Sequence, residues 1–208
     1  MSLGPIEATL KKSAAALERR GVPFLLGGGL ACWARGGPES SHDLDLMVRR
    51  QDADRALEAL VDAGMRAEQP PEQWLLKAWD GEILVDLIFE PVGLPITDEV
   101  IGRGAEISVA GCWIRVMALE DVFATKLLAL NEHALDYEDL VQLARSLREQ
   151  VDWDAVRART RESPFARAFF HLVREMGIAA APPEIREPGR AEVRVLDGER
   201  DRSVSERG

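Results

Sequence analysis

Two aspartates one residue apart, Asp43 and Asp45, are the side chains of this sequence best suited to metal chemistry. Side chains alternate between the two faces of a strand, so the pair shares one face while Leu44 and Leu46 point to the other, towards a core. Two carboxylates leaving a buried strand together repel each other and need a strong counter-charge. Oxygen ligands favour hard divalent cations, and Mg²⁺ commonly takes one or two carboxylates and keeps its other positions for water and phosphate. The pair therefore predicts a site for Mg²⁺ or Mn²⁺.

Glycines precede this pair and a third aspartate follows it. Gly28 and Gly29 come after a short apolar run, and their missing side chains let a phosphate approach the backbone at the start of the next helix. Asp86 interrupts the apolar run 83–89, which argues against a purely structural role for this carboxylate. A lone triple glycine is usually a turn, and a lone Asp-x-Asp is usually a solvated strand edge. Their order and spacing together favour a phosphate and metal site.

This arrangement resembles the polymerase-β-like nucleotidyltransferases. Their pattern is a strand ending in two glycines, a short helix, an Asp-x-Asp strand and a later carboxylate; here thirteen residues separate Gly28-Gly29 from Asp43-Leu44-Asp45, and Asp86 follows. The resemblance implies metal-dependent transfer of a nucleoside monophosphate from a nucleoside triphosphate to an acceptor, with release of pyrophosphate. It also implies that the three aspartates hold the metal and act in catalysis.

A second set of candidates concerns the triphosphate. Lys126 lies on the apolar face of a predicted helix, and Asp136 and Asp139 open the next one; an exposed ion pair or a helix-terminal acid would explain them equally well. This half of the chain resembles the lysine and Asp-x-x-Asp motifs of AbiEii-like and related minimal nucleotidyltransferases, some of them toxins. That resemblance implies a catalytic and phosphate-binding Lys126 and nucleotide-binding aspartates. Ser41 is a further hydroxyl donor to phosphate, and Arg35 competes with Lys126 as the mobile positive charge.

The element pattern predicts an α+β fold, a small mixed β-sheet flanked by helices and followed by a C-terminal helical segment. We expect the nucleotidyltransferase α/β core at 1–117, helices packed on it at 118–181, and a charged tail, expected to be disordered, at 182–208.

Local signals add detail to this outline. Asp80-Gly81 predicts a hairpin turn that places Asp86 on a strand. Asp52 is expected to cap a helix that turns Leu57, Leu60 and Val61 inward.

Composition limits the partners. The 208 residues carry 36 acidic and 26 basic side chains, a formal charge of −10, so a broad basic surface for duplex DNA is absent and a small molecule, a tRNA end or a protein is the expected acceptor. We expect no membrane contact, since no apolar run reaches about 18 residues. We also expect the protein to be cytoplasmic, since the first residues of the sequence lack the pattern of a signal peptide. Trp74 and Trp79 predict an exposed apolar patch through which the chain could form a homo-oligomer.

Two other functions fit parts of the pattern. A non-catalytic nucleotide-binding or protein-interaction module could keep the same fold, although retention of three carboxylates argues against it. A metallophosphatase or nuclease site usually recruits histidines, and this chain has only three, well separated.

Overall fold

The computed structural model describes residues 4–39 and 43–179. The phosphate-binding role predicted for Ser41 and the tail predicted at 182–208 lie outside these ranges.

A mixed β-sheet organises the molecule. In the described residues its strands are β1 (Phe24–Leu26), β2 (Asp43–Val48), β3 (Arg66–Glu68), β4 (Leu75–Asp80), β5 (Ile83–Ile88), β6 (Ala105–Val109) and β7 (Cys112–Val116). They form one seven-stranded sheet in the order β3-β4-β5-β2-β1-β7-β6. β2 is antiparallel to β1 but parallel to β5, and β1 is parallel to β7. The predicted mixed sheet is confirmed.

Helices flank the sheet and then continue the chain. They are α1 (Pro5–Arg19), α2 (Gly28–Trp33), α3 (Ala53–Asp62), α4 (Asp98–Arg103), α5 (Leu119–Ala129), α6 (Tyr137–Leu147), α7 (Trp153–Thr160) and α8 (Pro164–Glu175). Several begin at capping side chains: the Ser163 hydroxyl accepts from the Ala166 amide at α8, and the Asp152 carboxylate accepts from two amides at α7. None of the described helices is long and apolar enough to cross a bilayer.

One connected apolar core joins the sheet to the later helices. Leu44, Leu46 and Val48 are fully buried on one face of β2. Farther along the chain, Phe123 of α5 packs edge-on against Trp153 of α7, with ring centroids 5.0 Å apart, and belongs to the same cluster of buried side chains. The α+β fold with a C-terminal helical segment is therefore confirmed, while the domain boundary at residue 117 stays a prediction.

The prediction that Asp52 caps α3 was wrong. A 3₁₀ turn, Arg50–Asp52, runs directly into the helix, so Asp52 lacks the extended backbone that brings a capping side chain to the free amides. Its carboxylate is instead held by Arg49 at 2.6 Å and by Arg55 at 2.7 Å. Asp52 is thus a buried carboxylate paired with two partly exposed arginines beside α3.

The expected inward face of α3 was also partly wrong. Leu60 is buried, but Val61 is 43% exposed, because one residue of an α-helix turns the side chain by about 100° and the buried face is centred on Ala56 and Leu60. Leu57 is only half-buried.

The predicted hairpin forms with its turn one residue later. Asp80 still pairs with Ile83, so Gly81 and Glu82 make the turn. Trp74 is 41% exposed, whereas the Trp79 indole donates to Glu68 at 2.6 Å. Of the two tryptophans expected to form an exposed apolar patch, therefore, only Trp74 is largely exposed.

Candidate active site

The strand register brings the three predicted aspartates to one face of the sheet. Asp45 of β2 and Asp86 of β5 are direct partners in a parallel ladder, and partner residues on neighbouring strands project to the same side. Asp43 lies two residues before Asp45 and shares that side. Three carboxylates from two adjacent strands therefore face the same space.

Burial and mutual repulsion raise the pKa of two of these carboxyl groups. Burial, chiefly, and then the charges of Asp86 and Asp43 raise the pKa of Asp45 from its ordinary value of 3.8 to about 7, while Lys126 opposes the rise. The pKa of Asp86 is raised as well, mainly by burial, and Lys77 opposes that rise. These carboxylates are thus held in surroundings that disfavour their own charge unless a cation joins them.

The donor set fits a hard divalent cation. Asp43, Asp45 and Asp86 offer only carboxylate oxygens, and among the described residues the buried Asp86 Oδ1 has no hydrogen-bond partner, although Lys77 Nζ lies 3.8 Å from it. Within residues 4–39 and 43–179, however, no group of three or more His, Cys, Asp or Glu side chains is arranged so that it could hold a metal ion. Mg²⁺ needs only one or two carboxylates when phosphate and water complete its shell, so Asp43 and Asp45 suffice as its first ligands.

A cavity of about 310 Å³ opens beside these carboxylates. The start of α2, the loop before β2, β2 itself and two later helices all contribute to its wall, with the lining residues Gly29, Pro38, Glu39, Asp43, Asp45, Lys126, Asp139, Gln142 and Leu143. The C-terminal helices thus complete a cavity whose floor belongs to the sheet.

Gly28 makes room for one of the carboxylates. Its φ of 54° lies in the left-handed region, and a Cβ built there would overlap Asp45 Oδ2. The Gly27 amide donates to the Asp45 carbonyl at 2.9 Å and fixes the approach of the two backbones. Gly29, by contrast, lines the cavity. The two predicted phosphate-binding glycines therefore occupy different places, and only Gly29 faces the open space.

The structure separates the two candidates for the positive charge. Lys126 extends from α5 to the cavity, where its ammonium acts on the Asp45 carboxylate. The Arg35 guanidinium donates instead to the Val116 and Met117 carbonyls at 3.2 and 2.9 Å. Burial lowers the pKa of Arg35, and its side chain is absent from the cavity wall. Arg35 thus ties α2 to the end of β7, and Lys126 remains the candidate.

The two aspartates of α6 also differ. Asp139 lines the cavity. Asp136 is exposed, and its carboxylate accepts a hydrogen bond from the Asp139 amide at 3.3 Å as the cap of the helix. The alternative of a helix-terminal acid thus describes Asp136, whereas Asp139 lies where a ligand would bind.

Comparison with known proteins identifies the family of this chain. Residues 6–176 match a family described as uncharacterised nucleotidyltransferases. The chain belongs to this nucleotidyltransferase family. None of the curated proteins matches it.

Solved structures with a similar arrangement have low sequence identity. ANT(2″)-Ia, in complex with adenylyl-2″-tobramycin, is 20% identical, with 82% of this chain and 98% of that chain covered and a TM-score of 0.47. Lincomycin-bound lincosamide adenylyltransferase LnuA is 17% identical, with 67% and 95% covered and a TM-score of 0.46. A putative nucleotidyltransferase from Thermotoga maritima is 16% identical, with 58% and 81% covered and a TM-score of 0.47. At these values none of them bears on the substrate of this chain.

Sequence reasoning missed two further residues of this nucleotidyltransferase. Lys77 of β4 is the ladder partner of Asp86, and its Nζ lies 3.8 Å from Asp86 Oδ1. The predicted turn at Asp80-Gly81 would have paired Lys77 with Leu84 instead, so the correct register was the missing signal. Gln142 lies three residues after Asp139, one turn along the same helix face, and this spacing could have identified it.

Proposed function

We propose that this chain is an enzyme that transfers a nucleoside monophosphate from a nucleoside triphosphate to an acceptor and releases pyrophosphate, using Mg²⁺ or Mn²⁺. The observation that carries the proposal is the meeting of Asp43, Asp45 and Asp86 on one sheet face beside a cavity that also receives Lys126. Membership of a nucleotidyltransferase family supports the reaction class.

Each residue has a task in this reaction. Asp43 and Asp45 hold the metal, which when bound offsets the negative charge of the phosphate oxygens. Lys126 binds the triphosphate, and Gly29 lets it approach the backbone. The acceptor oxygen forms a bond to the α-phosphorus while the bond from that phosphorus to the pyrophosphate oxygen breaks. Asp86, whose raised pKa makes it a better base than an ordinary aspartate, orients the acceptor hydroxyl and takes its proton.

The wall of the cavity favours a small acceptor. Glu39 and Asp139 add negative charge to a space of about 310 Å³ that already contains the metal-binding pair. A phosphate-rich tRNA end would be repelled there, whereas a compact neutral or amine-bearing molecule would not. Transfer to tRNA or to a protein, as the AbiEii-like resemblance implies, is the acceptor class against which the small molecule is tested.

A second candidate function is a non-catalytic nucleotide-binding module. The lack of a ready three-ligand metal cluster among the described residues favours it. Such a module would bind a nucleoside triphosphate at the same cavity without releasing pyrophosphate.

The deciding experiment incubates the full chain with Mg²⁺, each α-labelled nucleoside triphosphate and pools of small molecules, tRNA or proteins. We expect labelled product and pyrophosphate with one small-molecule pool, and a fall of about 100-fold or more for Asp45→Asn. Asp139→Asn should weaken transfer, and Asp136→Asn is its matched control because that carboxylate only caps α6. Nucleotide binding without pyrophosphate in any pool would select the non-catalytic module instead.

A further inference from the structure

Opposite charges lie in one row across three strands of the sheet. Lys77 of β4 pairs with Asp86 of β5, and Asp86 pairs with Asp45 of β2, so the three side chains share a face. The row therefore places Asp86 between an ammonium and a second carboxylate.

The Asp86 carboxylate has little else to hold it. Its Oδ1 is buried and makes no hydrogen bond within the described part of the chain, and Lys77 Nζ lies 3.8 Å from it. The side chains of Lys77 and Asp86 are 21% and 13% exposed, so water weakens their attraction only in part. Repulsion from Asp45 and attraction to Lys77 both draw the carboxylate towards β4, so Lys77 helps to determine where on this face the carboxylate lies.

The two lysines near the carboxylates have different places. Lys126 lines the cavity together with Asp43 and Asp45. Lys77 lies on β4, on the far side of Asp86 from β2, and is not part of that wall. Lys77 is therefore placed to act on Asp86 rather than on a triphosphate bound in the cavity.

We propose that Lys77 is a positioning residue that holds the Asp86 carboxylate on the reacting face, within reach of the acceptor hydroxyl. This role rests on the proposed function, because it acts through the carboxylate assigned to the acceptor. Lys77 touches neither the metal nor the nucleotide, so its loss affects turnover more than nucleotide affinity.

The test compares Lys77→Met, Lys77→Arg and Lys12→Met in the full chain. Lys12 is the matched control, since it also pairs with an aspartate of the β4–β5 hairpin, Asp80, at 2.6 Å, but outside the site. We expect Lys77→Met to lower kcat about tenfold or more while the KM for the nucleoside triphosphate changes less than about threefold. Lys77→Arg should restore most of kcat, and Lys12→Met should leave it within about twofold.

A double-mutant cycle with Asp86→Asn tests whether Lys77 acts through that carboxylate. At pH 8, Lys77→Met should lower the Tm by about 2 to 4 °C in the native background and much less beside Asp86→Asn. In the same cycle, Lys77→Met should add little to the loss of kcat already caused by Asp86→Asn.

The outcomes distinguish the two proposals. An active wild-type protein with kcat unchanged in Lys77→Met, or with equal losses in both backgrounds, overturns the positioning role and leaves the proposed function intact. A wild-type protein that transfers nothing from any nucleotide overturns the proposed function, and the positioning role falls with it.

Discussion

Removing the charge of Asp45 should stabilise the metal-free protein at neutral and alkaline pH. The folded structure raises the pKa of this carboxyl from 3.8 to about 7. An acid whose folded pKa is raised contributes its stability fully below the unfolded pKa, near pH 4, and loses it as the pH rises through the folded pKa. The wild-type protein therefore loses the contribution of the neutral Asp45 between about pH 4 and pH 8.

The size of the effect follows from the two pKa values. A pKa raised by about 3 corresponds to about 4 kcal/mol of unfolding free energy for the complete titration. Asp45→Asn keeps a neutral side chain of the same shape at every pH. The variant should thus match the wild type near pH 4 and exceed it by up to about 4 kcal/mol at pH 8 in EDTA.

Urea unfolding at several pH values, in EDTA and in excess Mg²⁺, measures this difference directly. Mg²⁺ should stabilise the wild type at pH 8 and narrow the gap to Asp45→Asn, because the ion binds the charged carboxylates. Asp80→Asn is a control of opposite sign: Lys12 and Thr9 donate to Asp80 and lower its pKa, so this variant should lose stability at pH 8 and not at low pH. If Asp45→Asn is no more stable than the wild type at pH 8 in EDTA, the carboxylates are not crowded as described.

Two further variants test how the site is positioned. Gly28→Ala should lower transfer activity more than Gly21→Ala. Both glycines have a positive φ, but only at Gly28 would the added methyl group meet a catalytic carboxylate, that of Asp45. Backbone strain should cost each variant about 1 to 2 kcal/mol of unfolding free energy, measured by urea unfolding. Asp121→Ala should cost about 1 to 3 kcal/mol in the same assay, because the fully buried Asp121 carboxylate accepts hydrogen bonds from Arg103 and Arg159, and both of these partly exposed guanidinium groups would lose that acceptor; a loss below about 0.5 kcal/mol would contradict this.

The fold was predictable where the pattern is local. The alternation around Asp43 and Asp45 indicated a strand with one buried face, and Leu44 and Leu46 are fully buried on it. The pairing of Asp45 with Asp86 could be expected only from the resemblance, since nothing in the two segments themselves specifies that β2 and β5 lie side by side. α4 and β3 were not predicted, because each is short and lacks a strong periodicity.

The features that the sequence did not predict depend on contacts between residues far apart in the chain. Asp121 lies in the first turn of α5, and Arg103 and Arg159, 18 and 38 residues away, hold it in the interior. Arg35 was a reasonable phosphate ligand by charge alone, yet the Met117 carbonyl, 82 residues away, receives its guanidinium. The pairing of Lys77 with Asp86 was missed because the predicted hairpin turn was displaced by one residue. Partners of this kind are fixed by tertiary packing, which a single sequence does not show.

The central claim is that Asp43 and Asp45 hold a metal ion against a triphosphate that reaches Lys126. A crystal structure of the full chain with Mg²⁺ and a non-hydrolysable nucleoside triphosphate tests it most directly. We expect an ion bound by both carboxylates, with the triphosphate in the cavity beside Gly29 and Lys126. A nucleotide bound elsewhere, or in the cavity with no ion on either aspartate, would contradict it.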